Sequence, residues 1–491
     1  MDFPGEMKHV YDDLSLYNRK FLRFVESRDG GLERKTYKDL SRINDYLFTM
    51  QPWPVFLSAG ARDAIGSAAV KVFDLIKSIP LRVFGGDYQK MSAYYEIPVD
   101  MIAYFLDGFT QAHLDNLVAR GDFVMSPQGL KCIEFNVNTN LGGLDSAFWL
   151  PAYLSVPLVR DFLKQEAVEI RNPGFIVSLF DFIIDDFLER YPSYPGEINI
   201  AYVIQQGSGG MDERARQAYL EAMLNKALDL KRTGLKGNLV VCDYSRLSVS
   251  GDAVSFQGRP IHVLFESYLG YVPSSFVRAF KAGNVLLYNG AASWLMSTKL
   301  NLALLSELEN DGVFSPAEQE TIKNHIPWTR KVTPGFTTYK REEINLPEFI
   351  VANRERLVLK PLVGSGGKDV YIGANTAPGE WEQVLEKTLR CTGTLTDIPV
   401  DRHMDYTQWQ ELMEKALNME RWLVQEYAPS YPFVFQHGEK GYSPHNVAWG
   451  FFVFGKSFAG GWARILPNDH KKGVVNAHQG AESILIFDVD E

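Results

Sequence analysis

Leu357-Val-Leu-Lys-Pro-Leu-Val-Gly-Ser-Gly-Gly-Lys-Asp-Val-Tyr371 is the stretch on which the reading of this chain turns. Lys360 ends a hydrophobic strand, and a loop containing Gly364, Ser365, Gly366 and Gly367 leads straight into a second strand. Glycines let backbone N–H groups approach phosphate oxygens closely, and the lysine adds a fixed positive charge, so the segment reads as a phosphate clamp. It is not a Walker loop, in which the glycines open a helix and the lysine ends the loop; here β-structure is expected on both sides. A plain hairpin with a glycine-rich turn would carry the same letters, so the clamp needs partners elsewhere in the chain.

Outward from this loop, a helix is expected over 380–389 and a strand over 422–426, together a small α+β unit. The strand runs into Trp422-Leu-Val-Gln-Glu-Tyr-Ala-Pro429, turning polar and aromatic before a proline, and Gln425, Glu426 and Tyr427 could present main-chain groups and a carboxylate to a ligand. Upstream lie proline-punctuated connections around Pro316, Pro327 and Pro334, and a helix over 297–308. Residues 198–288 alternate as strand 198–204, helix 212–230, strands 238–242 and 261–265, helix 274–282 and strand 285–288, an α/β lobe around a partly parallel sheet. A helical stretch over 147–190 is broken by Asn172-Pro-Gly174, and residues 7–77 are helical by the spacing of Tyr11, Leu14, Tyr17, Phe21 and Phe24, a lid or support. The last seventy residues are β-rich, with runs over 447–454, 457–465 and 484–488. The resulting division is a helical region 1–95, a metal-binding and α/β lobe 96–300, a small subdomain with the glycine loop and hinge 301–435, and closing strands 436–491.

The second motif is residues 121–136, Gly-Asp-Phe-Val-Met-Ser-Pro-Gln-Gly-Leu-Lys-Cys-Ile-Glu-Phe-Asn. Two β-rich runs flank Ser126-Pro-Gln-Gly129, which is turn chemistry, so a hairpin is expected. Alternation puts Cys132, Glu134 and Asn136 on one face of its second strand and Ile133, Phe135 and Val137 on the other. Antiparallel pairing returns Glu134 and Asn136 toward Asp122, an all-oxygen set of the kind Mg²⁺ prefers. Arg120 shares the side of Asp122, where an arginine can stabilise charge on a transferring phosphoryl group. A surface hairpin with its polar side outward fits the same letters, and it is the combination with the glycine loop that favours a site.

Composition sets the bounds. At 491 residues and 46% hydrophobic, the chain is too long for one core, so two or three packed lobes with a cleft are expected. A net charge of −10 with scattered lysines and arginines offers no field to a polyanion, which argues against nucleic acid, while a few cations and a metal inside a cleft still suit a small anion. Cys132, Cys242 and Cys391 lack zinc-knuckle or redox spacing and read as reduced, and the nine histidines form no HExxH or other compact metal motif. The first thirty residues show no apolar h-region or cleavage site, and runs such as 175–187 meet aspartates well before bilayer length. A soluble cytoplasmic protein without membrane contact is expected.

With both motifs in place, the chain resembles the circularly permuted ATP-grasp ligases, and its pattern is similar to the synthetase domain of glutathionylspermidine synthase. In ordinary ATP-grasp enzymes the glycine loop and lysines precede the metal-binding Glu-x-Asn; here Glu134-Phe-Asn136 comes first. The resemblance runs over about residues 100–490 through islands: Arg120-Gly-Asp122, residues 132–137 and 284–299, the lysine strand and loop, residues 422–427, and Gly460-Gly-Trp-Ala-Arg464. It implies an α/β (α+β) ATP-grasp fold with ATP held between two α+β subdomains, plus the N-terminal helical region. Asp122, Glu134 and Asn136 become ligands of Mg²⁺, and Arg120 faces the γ-phosphate or acyl phosphate. Lys299 and Lys360 hold ATP phosphates, the loop from Gly364 through Ser365 and Gly366 to Gly367 covers them, and Gln425, Glu426 and Tyr427 form the adenine–ribose hinge. Arg464 resembles the family's phosphate-facing arginine, although a solvated strand arginine would look alike. Two features depart from the pattern. The cysteine–histidine amidase domain of bifunctional members is missing, so amidase activity is not implied, and Glu266 stands where the family often has a basic residue, which puts glutathione in doubt.

The implied activity is ADP-forming ligation of a small-molecule carboxylate to an amine through an acyl phosphate. The carboxylate is expected to be an amino acid or small peptide, and the amine another amino acid, peptide or polyamine; a homodimer is compatible with the sequence. Such chemistry needs no enzyme nucleophile, in keeping with the lack of a Ser/His/Asp or Cys/His set. Two alternatives share the fold: a nucleotide-binding scaffold without turnover, and a small-molecule kinase, which needs a hydroxyl acceptor and no amine.

Overall fold

The computed structural model describes residues 13–28, 32–36, 48–138, 141–143, 146, 149–171, 174–205, 213–267, 270–364, 366–390, 395–396, 398–401, 403–419, 421–438 and 441–491. Cys391 and Ser365 lie outside the described residues, as does Asp212, the expected start of the 212–230 helix.

The largest sheet joins the hairpin to the end of the chain. The strands Val118–Ser126 and Gly129–Asn136 form one side, and Val118–Ser126 continues antiparallel onto Gly441–Phe454, then Ser457–Pro467, then Glu482–Val489. Short strands from the first part of the chain, Thr49–Met50 and Val55–Leu57, pair parallel with Glu482–Val489, so the region expected to be helical also supplies β-structure. Aromatic side chains lock both faces. On one, Phe73 of the helix Ala59–Arg82 stacks on Phe135 at 5.1 Å; on the other, Phe175, at the start of the helix Phe175–Arg190, meets Phe452 at 4.4 Å. Ala59–Arg82 is a support beneath the sheet, burying Ala69, Val72, Phe73, Ile76 and Ile79 at helical spacing.

The four-stranded sheet of the α/β lobe is fully parallel where the sequence indicated only partial parallelism, with Leu286–Tyr288, Val263–Glu266, Glu197–Val203 and Lys236–Cys242 in that spatial order, and residues 248–260 add a small antiparallel sheet. The third sheet is antiparallel, in the order Thr329–Lys331, Trp422–Glu426, Leu357–Pro361 and Tyr371–Ile372. It has a core of its own, in which Trp328, Ile350, Leu357, Leu359, Trp381 and Val424 pack together, so this small lobe is a separate packing unit.

Several elements depart from expectation. The helical stretch 147–190 is three helices, Trp149–Ser155, Pro157–Gln165 and Phe175–Arg190; Pro157 sits in the first turn of the second, where its missing N–H costs nothing. The connection around Pro316 contains the helix Pro316–His325, started by a capping box of Ser315 and Glu318. The expected helix 297–308 divides into Ala292–Ser297 and Leu300–Glu307, with Lys299 at the junction. The segment between the 380–389 helix and the 422–426 strand holds a further helix, Tyr406–Leu417. No helix among the described residues is long and apolar enough to cross a membrane.

Candidate functional site

The hairpin forms as its turn chemistry requires, with Ser126 opposite Gly129, but its register shifts by one residue between Asp122 and Phe123. Below the shift Phe123 pairs with Cys132; above it Asp122 pairs with Glu134 and Arg120 with Asn136. Directly opposed residues share a face, so Cys132 joins the buried Phe123 side, correcting the simple alternation, and Ile133 lines the cleft beside Glu134. Burial pushes the Cys132 thiol up, away from reactivity.

The sheet register carries the cleft face further. Gly450 lies opposite both Asp122 and Trp462, and Ala448 opposite Arg464. Arg120 grips Asp122 with two bonds, Nε to Oδ1 at 2.8 Å and Nη2 to Oδ2 at 3.2 Å, and donates through Nη1 to the Gly142 carbonyl at 3.1 Å. Arg464 Nη2 donates to the same Oδ2 at 2.8 Å, and both guanidinium groups lie over the Trp462 ring, at 5.6 and 5.5 Å. Burial alone would raise the Asp122 carboxyl; the two arginines outweigh it and hold it at about 2. Gly450 makes this arrangement possible, because a Cβ there would stand 2.6 Å from Trp462 Nε1 and 2.9 Å from Arg120 Cδ. Neither Gly450 nor Trp462 was singled out as a site residue by sequence, since a glycine inside a strand gives no sign of what approaches it.

The small lobe faces this sheet. Alternation along Leu357–Pro361 sends Leu357 and Leu359 into the lobe's own core and Val358 and Lys360 toward the cleft. Lys360 Nζ donates to Gln425 Oε1 at 2.7 Å and reaches across to the carbonyl of Ile133 at 3.3 Å. Burial, with Lys299 nearby, brings Lys360 down to about 8 against the pull of Glu134. Lys299 pairs with Glu134 at 3.0 Å and donates to the Gly364 carbonyl at 3.4 Å, so one ammonium group ties the hairpin to the glycine loop. Its own position is fixed by Ser297, whose hydroxyl accepts from the Val137 amide at 2.9 Å.

A cavity of about 580 Å³ lies between the two sheets. Asp122, Glu134 and Asn136 line it from the hairpin, together with Arg120 and Arg464. Lys299, Lys360, Gly364, Gly366 and Gly367 line it from the facing side, as do Gln425, Glu426 and Tyr427. The expected site residues that are described are thus brought to one cavity; Ser365 falls outside the description. Gly366 and Gly367 both have positive φ, +71° and +68°, and a side chain on Gly367 would meet Val474 at 2.9 Å, so the loop lies against residues 473–478. That C-terminal segment, which sequence reasoning left as an unassigned polar stretch, forms part of the cavity wall.

The three hinge residues are engaged differently from expectation. The Gln425 side chain is spent within the protein, accepting from Lys360 and donating to Thr329 Oγ1 at 3.0 Å. Glu426 accepts from the Tyr339 hydroxyl at 3.1 Å, and the Glu426 and Tyr427 amides already donate to the Trp328 and Arg356 carbonyls, so an edge offering a free amide starts no earlier than Ala428, which also lines the cavity.

A divalent cation can be tested against these donors. Among the described residues no three His, Cys, Asp or Glu side chains come together, so a metal here rests on two carboxylates and an amide. A carboxylate has about four acceptor positions, and among the described residues Asp122 Oδ1 accepts only from Arg120 Nε, which leaves a lone pair open. The Asn136 amide turns its nitrogen to Asp122 at 3.4 Å, leaving its oxygen available, and among the described residues the Glu134 side chain is held by Lys299. The donor set fits a hard cation once the Lys299–Glu134 pair opens.

No family model and no curated protein matches the sequence. Among solved structures, the fold is similar to that of a glutathione synthetase-like effector from Globodera pallida in its apo form, at 10% identity and a TM-score of 0.50. The likeness covers 98% of this chain and 97% of that one. The chain therefore has a mixed α/β fold similar to the one in that structure.

Proposed function

We propose that the cavity binds Mg²⁺ and ATP in a circularly permuted ATP-grasp arrangement and that the protein is an ADP-forming carboxylate–amine ligase. The observation that carries this reading is the convergence of the Asp122–Glu134–Asn136 set with the glycine loop, Lys299 and Lys360 on one cavity. The neighbouring structure's glutathione synthetase-like name supports a ligase-type fold.

In this reading ATP lies with its phosphates under Gly364–Gly367 and its base toward Glu426–Ala428. Lys299 and Lys360 bind phosphate oxygens, and the metal held by Asp122, Glu134 and Asn136 supplies further neutralisation of their charge. The substrate carboxylate oxygen attacks the γ-phosphorus as the bond to the ADP oxygen breaks, giving ADP and an acyl phosphate. An amine then attacks the acyl carbon, forming the amide and releasing phosphate and a proton. Arg120 donates through Nε and Nη2 to Asp122 and through Nη1 to the Gly142 carbonyl, so it acts from a fixed position, while the buried Arg464 Nε has no partner among the described residues and retains a donor for an anion. The glycine loop, packed against residues 473–478, shields the intermediate from water.

The test is an ADP-release screen of purified protein against carboxylate and amine pairs, with mass spectrometry of products. Amide product dependent on both partners is expected, and Glu134→Gln should reduce ADP release by at least a hundredfold while the protein stays folded. Phosphorylated product without an amine would identify a kinase, and nucleotide binding without turnover a scaffold. Near-normal turnover in Glu134→Gln would overturn the metal assignment.

A further inference from the structure

The cavity extends beyond its charged centre to the C-terminal ends of the parallel sheet. Tyr202 and Phe265, partners in register on adjacent strands with rings 5.2 Å apart, line it there. Ile176 joins them from the helix Phe175–Arg190, and Arg216, Tyr219 and Leu220 from the helix Glu213–Leu230. The last three are spaced i, i+3 and i+4 and so share one helical face. Five of these six side chains are apolar or aromatic, in contrast to the lysines, arginines and carboxylates that line the centre.

Arg216 is the exception, and its charge is not answered as those of Arg120, Arg464 and Lys299 are. Arg120 and Arg464 pair with Asp122, and Lys299 pairs with Glu134. Arg216 lies over the Tyr202 ring at 5.8 Å, and among the described residues no carboxylate pairs with it. A chain of net charge −10 has acids to spare, so a half-buried arginine held against an aromatic wall and facing a cavity is suited to an anion from outside. Its position in the first turn of its helix adds the positive end of the helix dipole. A small polar substrate would leave both the apolar wall and this charge unsatisfied, whereas a bulky apolar body bearing an acid would satisfy both.

We propose that this chamber receives the organic body of the carboxylate substrate, and that the substrate is a dianion: an aromatic or bulky apolar body bearing one acid group for activation and a second that pairs with Arg216. The proposal rests on the charged end being the nucleotide site. Arg216 is then a specificity-determining residue for the ligation.

The experiment compares three probes by calorimetry, with and without a non-hydrolysable ATP analogue and Mg²⁺: phenylsuccinate, which has ring and two acids; 3-phenylpropionate, ring and one acid; and succinate, two acids and no ring. Phenylsuccinate should bind at least tenfold more tightly than either of the others. Arg216→Gln should bring phenylsuccinate down to the level of 3-phenylpropionate, and Arg216→Glu should invert their order, which a merely structural role would not do; thermal melts confirm that both variants fold. Equal affinities for the three probes, or an unchanged preference in Arg216→Glu, would overturn the chamber assignment. Displacement of a fluorescent nucleotide is measured separately: its failure overturns the nucleotide reading, while the probe ratios without nucleotide still judge the chamber.

Discussion

Asp122 holds together the charged side of the cavity, whatever it does for a proposed metal. It is 4% exposed, between Arg120 at 8% and Arg464 at 6%, so removing it strands two buried guanidinium groups. Asp122→Ala should cost about 3–5 kcal/mol in chemical denaturation, and replacing Arg464 by Met in the same chain should recover part of that loss. The depressed carboxyl, about 2 against an ordinary 3.8, contributes stability that is fully present above about pH 4 and lost as pH falls toward 2. Lys360 has the opposite sign. Its folded value of about 8 lies below the ordinary 10.5, so its buried charge costs stability below pH 8, and that cost disappears as pH rises from about 8 to about 10.5. In the proposed function Lys360 holds phosphate by its charge, so nucleotide affinity should fall between pH 7 and pH 9 in the native protein. Lys360→Arg, which stays charged, should flatten that profile; an equally steep fall in this variant would show that another group titrates.

Strand register decides which side chains can meet. The one-residue shift in the hairpin keeps Asp122 opposite Glu134 and Arg120 opposite Asn136 while sending Cys132 to the core. The neighbouring strand must then offer no side chain at Gly450, where Trp462 and Arg120 close in. Gly450→Ala should cost about 1–3 kcal/mol by overpacking and weaken nucleotide binding together with stability. A variant with normal stability and normal binding would mean that the Arg120–Trp462 contact yields without consequence.

Two packing units face one another across the cavity. The small lobe has a core of its own, and the polar links that cross to the large sheet include Lys360 to the Ile133 carbonyl and Lys299 between Glu134 and the Gly364 carbonyl. A ligand that bridges the lobes should therefore slow opening of both. In hydrogen exchange, Mg²⁺ with an ATP analogue is expected to protect residues 357–372 and 130–136 together, and Glu134→Gln should remove the protection from both. Protection confined to one of the two segments would place the ligand on a single lobe.

Much of this was legible from residue order alone, because local chemistry is written locally. The Ser126-Pro-Gln-Gly129 turn, the glycine run after Lys360 and the alternation of strands and helices over 198–288 each depend on backbone conformations that a few neighbouring residues determine. The capping box at Ser315 and Glu318 was equally local and could have revealed the Pro316–His325 helix. What tertiary structure alone decided is who stands opposite whom. That Arg464 meets Asp122, that Gln425 serves Lys360, that Gly450 must be bare, and that Arg216 reaches the same cavity depend on contacts across many tens to hundreds of residues. Such contacts are fixed by sheet register and by the packing of separate cores, which short-range pattern does not encode.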